Sequence, residues 1–236
     1  MIWSHHHLLL DGWSQPLLLG ELLAFYNAYD KNISLDLPER PEYSHYIDWL
    51  ESQDTAQAEH YWKETLAGFT TPTPLIADYS IKQNTDSYIT SKMMLSDEMS
   101  KKLYDLSRKT GITLNTLVQG AWALLLSRYS NEREVVFGAT VSGRPPELPG
   151  ADMMLGLFIN TLPVQVDVSP KHTVTSWLKD IQARGAESRR FEYSSLTQIK
   201  KWLGLPGDRS LFDSILVFES YPMDESAAAT DHTITM

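Results

Sequence analysis

The side chains best able to do chemistry crowd the start of the chain: His5, His6 and His7, then Asp11 and Gly12 after three leucines. An imidazole changes charge in the physiological pH range, so a histidine near a carboxylate can move a proton, orient a substrate or ligate a metal. Residues 1–7 read as a strand, which places His5 and His7 on one face and His6 on the other. The chain then turns at Asp11-Gly12 into a helix. An imidazole at that strand end lies near free helix amides, where a proton-handling group beside a developing anion belongs. Metal binding is disfavoured, because only His5 and His7 can converge and no second cluster completes a ligand set. A buried, hydrogen-bonded histidine and an acid–base or orienting histidine stay equally open on these residues alone.

The elements around the cluster follow from caps and periodicity. Ser14 reads as a helix N-cap, with Trp13 and Leu18 as a hydrophobic staple and Leu22, Phe25 and Tyr26 at helical spacing. Two more helices are expected within 43–66, stopped at Gly68. The Thr/Pro-rich and polar stretch 70–87 reads as an interdomain linker, dividing the chain into 1–69 and 88–236. Beyond it, 88–95 reads as a strand. Ser96 caps a helix with Asp97 and Glu98 in its first turn and Arg108 and Lys109 in its last, closed by Gly111. Thr113 caps a helix reaching about Tyr129, with Leu117, Ala121, Trp122, Leu124 and Leu125 expected in the core. Strands are expected at 135–141, within 155–168 and at 211–218. Val174, Trp177, Leu178 and Ile181 mark a helix, and 196–203 a shorter one. Strands alternating with helices predict a layered α/β domain.

Composition narrows the function. The 236 residues carry 20 Lys and Arg against 30 Asp and Glu, a net charge of −10, and no cysteine. The absence of cysteine excludes a disulfide scaffold, a thiolate zinc site and a cysteine nucleophile, and fits a reducing, cytoplasmic setting. The acidic balance argues against nucleic-acid binding, which needs clustered cations. Apolar runs such as 121–126 are far shorter than the roughly 20 residues a membrane span requires, and no signal peptide is visible. The abrupt opening reads as the start of a fragment.

The segment His6-His7-Leu8-Leu9-Leu10-Asp11-Gly12, continued by Trp13-Ser14, resembles the HHxxxDG motif of the condensation domains of nonribosomal peptide synthetases. Three further stretches are similar to motifs of that family, in the same order: 43–50; Val141-Ser142-Gly143-Arg144-Pro145 with 147–150 and 154–164; and 209–222. The resemblance covers nearly the whole chain. It implies a chloramphenicol-acetyltransferase-like fold of two lobes, with 1–69 the latter part of the first lobe and 88–236 an incomplete second. Gln165 stands where the family has an arginine that could pair with the motif aspartate, which leaves the partner of Asp11 open. As a sequence position, Gln165 reads equally well as a solvated residue beside core-facing Val164 and Val166.

The implied reaction joins two thioesters held on the phosphopantetheine arms of carrier domains. His7 would direct the amine or accept its proton. His6, in the same catalytic motif, would point away from it and pack. Gly12 would leave room for the acceptor, with nearby amides supporting the oxyanion, and Asp11 would hold the loop. Trp13, Ser14 and Asn160 are candidate substrate contacts, Asn160 toward a pantetheine arm. No metal or bound cofactor is implied. The implied partners are upstream and downstream peptidyl carrier domains and an adenylation domain. A non-catalytic docking module of the same fold and an epimerisation domain are the competing readings.

Overall fold

The computed structural model describes residues 2–75, 89–169 and 173–219. They fall into two units, one from Met1–Gln53 and Ser142–Asn160 with Glu219, the other from Asp54–Val141 and Thr161–Phe218.

The first unit carries helices α1 (Ser14–Asp30) and α2 (Ser44–Glu51). Its core is small and aromatic: Tyr46, Met154 and Phe158 are buried, with Tyr43, Trp49, Leu50 and Leu148 packed around them. The Tyr46 and Phe158 rings lie 4.4 Å apart, and Tyr43 meets Phe158 edge-on at 5.1 Å, a geometry that adds attraction beyond the area buried. The 142–160 segment is therefore held by side chains from α2 and the turn before it. Along α1 the expected apolar periodicity is present, yet Leu22, Phe25, Tyr26 and Tyr29 are exposed and only Ser14 and Ala28 are buried.

The second unit holds α3 (Thr55–Thr65), α4 (Asp97–Thr110), α5 (Leu114–Ser130), β1 (Glu134–Val141), β2 (Asn160–Asp167, all but its first residue), α6 (Val174–Ser188), α7 (Leu196–Trp202) and β3 (Ile215–Leu216). Its sheet has the order β2-β1-β3, with β1 and β3 parallel and Gly138 opposite Ile215. Val135 to Ala139 are all buried, as expected for the central strand of a sheet covered on both faces. One core packs α5 and α6 on β1 and β2 through Ala123, Leu126, Phe137, Val166, Leu178 and Ile181. A second joins α3 and α7 through Trp62, Leu162, Phe191, Ile199 and Leu211. Gln182 on α6 accepts from Thr113 N–H and donates to Gly111 O, fixing the α4–α5 turn.

Local signals were obeyed where they were strong. Ser96 and Thr113 cap α4 and α5 by accepting from Met99 N–H and Thr116 N–H, and Gly111 closes α4 in the left-handed region at φ 71°. Other expectations need correction. Residues 2–6 form no strand and 7–9 are a turn, with Leu9 N–H donating to His6 O. Residues 89–95 form no strand either, and Tyr88 lies outside the described residues. In both places no strand among the described residues completes a ladder, and a strand without one leaves its backbone groups to water. The expected strand or strands within 155–168 reduce to β2, and the expected closing strand to the two residues of β3. Within α5 the buried face is Thr116, Gly120, Ala123 and Leu126. Ala121, Leu124 and Leu125 face solvent, while Leu117 and Trp122 are half-buried. That helix is apolar on most sides, so periodicity alone did not single out the face. Gly120 does, since a Cβ there would sit 2.4 Å from a Leu178 methyl. Of the expected linker 70–87, residues 76–87 lie outside the described residues. Thr73 is buried, and its Oγ1 accepts from Val136 N–H at 2.8 Å.

Candidate active site

Asp11 is the centre of the first unit's polar interior. Its side chain is 0% exposed. A carboxylate so placed must be charge-paired and hydrogen-bonded to persist, and it is both. Oδ1 accepts from Trp13 N–H (3.1 Å), Ser14 N–H (2.9 Å), Ser14 Oγ–H (2.9 Å) and Arg144 Nη2 (3.1 Å); Oδ2 accepts from Phe158 N–H (3.1 Å). Asp11 N–H in turn donates to Gly156 O. The turn that follows the histidines is thus tied to 156–158 through main chain and side chain together.

This arrangement corrects the reading of Ser14. The residue opens α1 but does not cap it: the N-cap is Trp13, whose side chain makes no capping hydrogen bond, which also removes the expected staple pairing. The free amides at the helix start are taken by Asp11, whose carboxylate acts as an Asx-type acceptor two and three residues upstream.

The cation is Arg144. It makes an ion pair with Asp11 at 3.1 Å, the two side chains being 8% and 0% exposed. Its Nη1 donates to Ala151 O and Met154 O, its Nη2 also reaches Ser14 Oγ, and its guanidinium lies 4.1 Å from the Phe158 ring centre. Gln165, which stands where the family has an arginine, lies in the other unit. It is not the solvated residue allowed for either: its Oε1 is buried and has no hydrogen-bond partner among the described residues.

Two glycines make the network possible. Gly143 holds φ 63°, and a Cβ on it would come 1.8 Å from Phe158 O. Gly156 lies under the Tyr43 ring, which a Cβ would meet at 2.1 Å. Gly143→Ala is expected to cost more than about 2 kcal/mol, the left-handed conformation alone being disfavoured by roughly that much. A thermal melt indistinguishable from the parent would contradict this. The Tyr43 hydroxyl donates to Leu157 O at 2.6 Å. Burial pushes its phenol above the usual range; the Asp11 carboxylate adds to this and the Arg144 guanidinium opposes it. The neutral phenol is therefore favoured on folding. Its contribution is complete below about pH 10 and is lost as pH rises through the folded value. Stability measured by urea unfolding should fall on the alkaline side, and Tyr43→Phe should make that fall shallower. An unchanged alkaline slope would count against the assignment. Tyr61 and Tyr193, raised chiefly by burial in the other unit, contribute to the alkaline fall in the same sense.

The histidines sit outside this interior. His7 is exposed, at the start of the turn; His6 is exposed too and accepts from Leu8 N–H through Nδ1 at 3.1 Å, rather than packing. His5 is half-buried and stacks on Trp3 at 4.7 Å. With no strand, opposite strand faces no longer separate His6 from its neighbours; the turn does. Gly12 and Trp13 are half-buried, Trp13 giving its N–H to Asp11, and Ser14 is fully buried. Asn160 is half-buried at the end of the unit's 142–160 segment. Among the described residues no three His, Asp or Glu side chains are grouped to hold a metal ion, and no helix is long and apolar enough to cross a membrane. What reading the motifs missed is the use of Arg144, Gly156, Phe158 and Tyr43. The Gly-Arg-Pro and Leu-Gly-Leu-Phe strings were visible, but their convergence on Asp11 is a contact across more than 130 residues.

Comparison with known proteins gives a consistent outcome. The family model described as Condensation domain matches residues 1–235. A linear gramicidin synthase of Brevibacillus parabrevis is 47% identical over 228 residues, which is 95% of this chain and 4% of that protein. Chondramide synthase cmdD of Chondromyces crocatus is 43% identical over 226 residues, 96% of this chain and 6% of its own length. Among solved structures, holo T3CT matches with TM-score 0.67 and 26% identity, covering 90% of this chain and 45% of that one. The first condensation domain of the calcium-dependent antibiotic synthetase, in complex with a substrate analogue, matches with TM-score 0.71 at 18% identity, over 90% and 48%. At that identity the second match speaks to fold alone. The chain spans a small part of these curated relatives and just under half of the solved chains.

Proposed function

The chain belongs to the condensation-domain family, and from that premise we propose that it takes part in amide-bond formation in nonribosomal peptide synthesis. The substrates are two aminoacyl or peptidyl thioesters, each on the phosphopantetheine arm of a carrier domain, upstream for the donor and downstream for the acceptor. The setting is the cytoplasm, within a synthetase that also carries an adenylation domain. The arm arrives with the substrate and is not a resident cofactor.

The acceptor amine attacks the donor carbonyl, a tetrahedral oxyanion forms, and its collapse breaks the C–S bond. The amine loses a proton and the departing thiolate gains one, so the step is proton-neutral. His7 accepts or directs that proton, and so orients the amine. The observation that carries this reading is the exposed imidazole of His7 at the head of a turn that Asp11 fastens to the interior by five side-chain hydrogen bonds. A rigidly seated turn keeps a proton-handling group at a fixed height above the reacting atoms, which is where proximity lowers a barrier. Trp13 and Asn160, both half-buried, are the proposed substrate contacts, and Gly12 leaves the acceptor space; Ser14, expected as a third contact, is sealed from solvent and is not proposed as one.

The test loads one carrier with a donor and another with an acceptor and adds the protein bearing this chain. Mass spectrometry should find the amide on the acceptor carrier and a free thiol on the donor carrier. Unchanged carriers, or donor released to water alone, would reject the reading.

A further inference from the structure

We propose that Ser14 is a positioning residue of this site, acting on His7 through Asp11 and the 156–158 segment; the proposal rests on the condensation reading above. A hydroxyl has one hydrogen to give and two lone pairs to fill. Four groups surround this one: Asp11 Oδ1 and Gly156 O at 2.9 Å, and Arg144 Nη2 and Gly156 N–H at 3.1 Å. The two N–H groups fill the lone pairs. The single proton goes to Asp11 Oδ1, the charged and stronger acceptor, while Gly156 O has Asp11 N–H as its donor.

Three stretches of chain, at 14, 144 and 156, therefore meet on one oxygen that is 0% exposed. Asp11 is braced from the helix side by Ser14 and from the opposite side by Phe158 N–H. Removing the hydroxyl leaves Gly156 N–H, buried, without its acceptor and takes one partner each from Asp11 and Arg144. A buried N–H with no acceptor is costly, and the cheapest relief is for 156–158 to shift. That shift moves Asp11 and the turn between it and His7. Because Ser14 is sealed from solvent, its influence passes through this turn, so it should appear in kcat and leave KM nearly unchanged.

The test compares the parent protein with Ser14→Ala, Ser14→Thr and Ser14→Val. Threonine and valine have the same shape and differ by the hydroxyl. Ser14→Ala is expected to fold, with kcat down roughly ten- to a hundredfold and KM within about twofold, and Thr should be well ahead of Val. Amide hydrogen exchange supplies a readout that needs no turnover: Gly156 N–H should exchange at least about tenfold faster in Ser14→Ala, with second-unit amides unchanged. A parent protein that makes no amide would defeat the condensation reading, while the exchange measurement would still decide whether Ser14 holds the segment. The proposal is overturned by a folded Ser14→Ala with parental kcat, by a rise in KM alone, by Val matching Thr, by unchanged Gly156 exchange, or by an alanine variant that cannot fold. The alanine result decides by itself if the two larger residues do not fold.

Discussion

Arg144→Met is expected to lower the stability of the first unit by about 3–5 kcal/mol, the range typical when one member of a buried ion pair is removed. Methionine fills much of the same volume, so the loss is electrostatic in origin. The Asp11 carboxylate, 0% exposed, would keep its backbone donors but lose its charge partner. The carbonyls of Ala151 and Met154 would lose their guanidinium donor, and the Phe158 ring its cation. Urea unfolding at constant slope is the measurement, since an unchanged slope keeps the midpoint shift a statement about stability. If the stranded carboxylate is the main cost, adding Asp11→Asn to Arg144→Met should recover part of the loss. Asn still offers one oxygen to the Trp13 and Ser14 amides and no longer carries an unpaired charge. A single substitution costing under about 1 kcal/mol would show that the pair contributes no more than an exposed one.

His7→Ala is expected to lower the rate of amide formation by about 10² to 10⁴, the usual span for losing a general acid–base group, with the melting temperature unchanged. The second part follows from placement. His7 is exposed, while the bonds that hold its turn come from His6 O and Asp11. A radiolabelled dipeptide-transfer assay reads the rate. His6→Ala should do less to the rate: His6 accepts from Leu8 N–H within the turn, and water can replace that bond at an exposed site. Near-normal transfer by a folded His7→Ala protein would remove the ring from the chemistry.

Local interactions made much of the second unit legible from sequence. Ser96, Gly111 and Thr113 mark helix ends because a cap is satisfied within three or four residues. Val174, Leu178 and Ile181 mark α6 because a helix face repeats along the chain, although Val174 itself stays exposed. Strands were harder, because a strand exists only with its partner. Residues 89–95 and the run before His7 have strand-like composition and no ladder, while β1 is a strand because β2 and β3 flank it. The candidate site was legible as a motif and illegible as a network. Asp11 could be read as a loop-holding residue from its place before Gly12. Its partner stayed open, because Gln165 stands where the family has an arginine; the cation is Arg144, within the 141–145 string that resembles another motif of the family. The left-handed Gly143 just before it is what lets that segment pass close to Phe158 O, and no sequence spacing announces such an approach.

The central claim is that the Asp11–Arg144 network serves catalysis by seating His7. A double-mutant cycle on the single-turnover rate tests it, using Arg144→Lys, which keeps the charge but loses the planar fork, with His7→Ala, at a temperature where all four proteins are folded. If the network works through His7, Arg144→Lys slows the parent protein and adds nothing once His7 is gone. Two effects that multiply in full would contradict the account, because Arg144 would then act by a route that bypasses the ring.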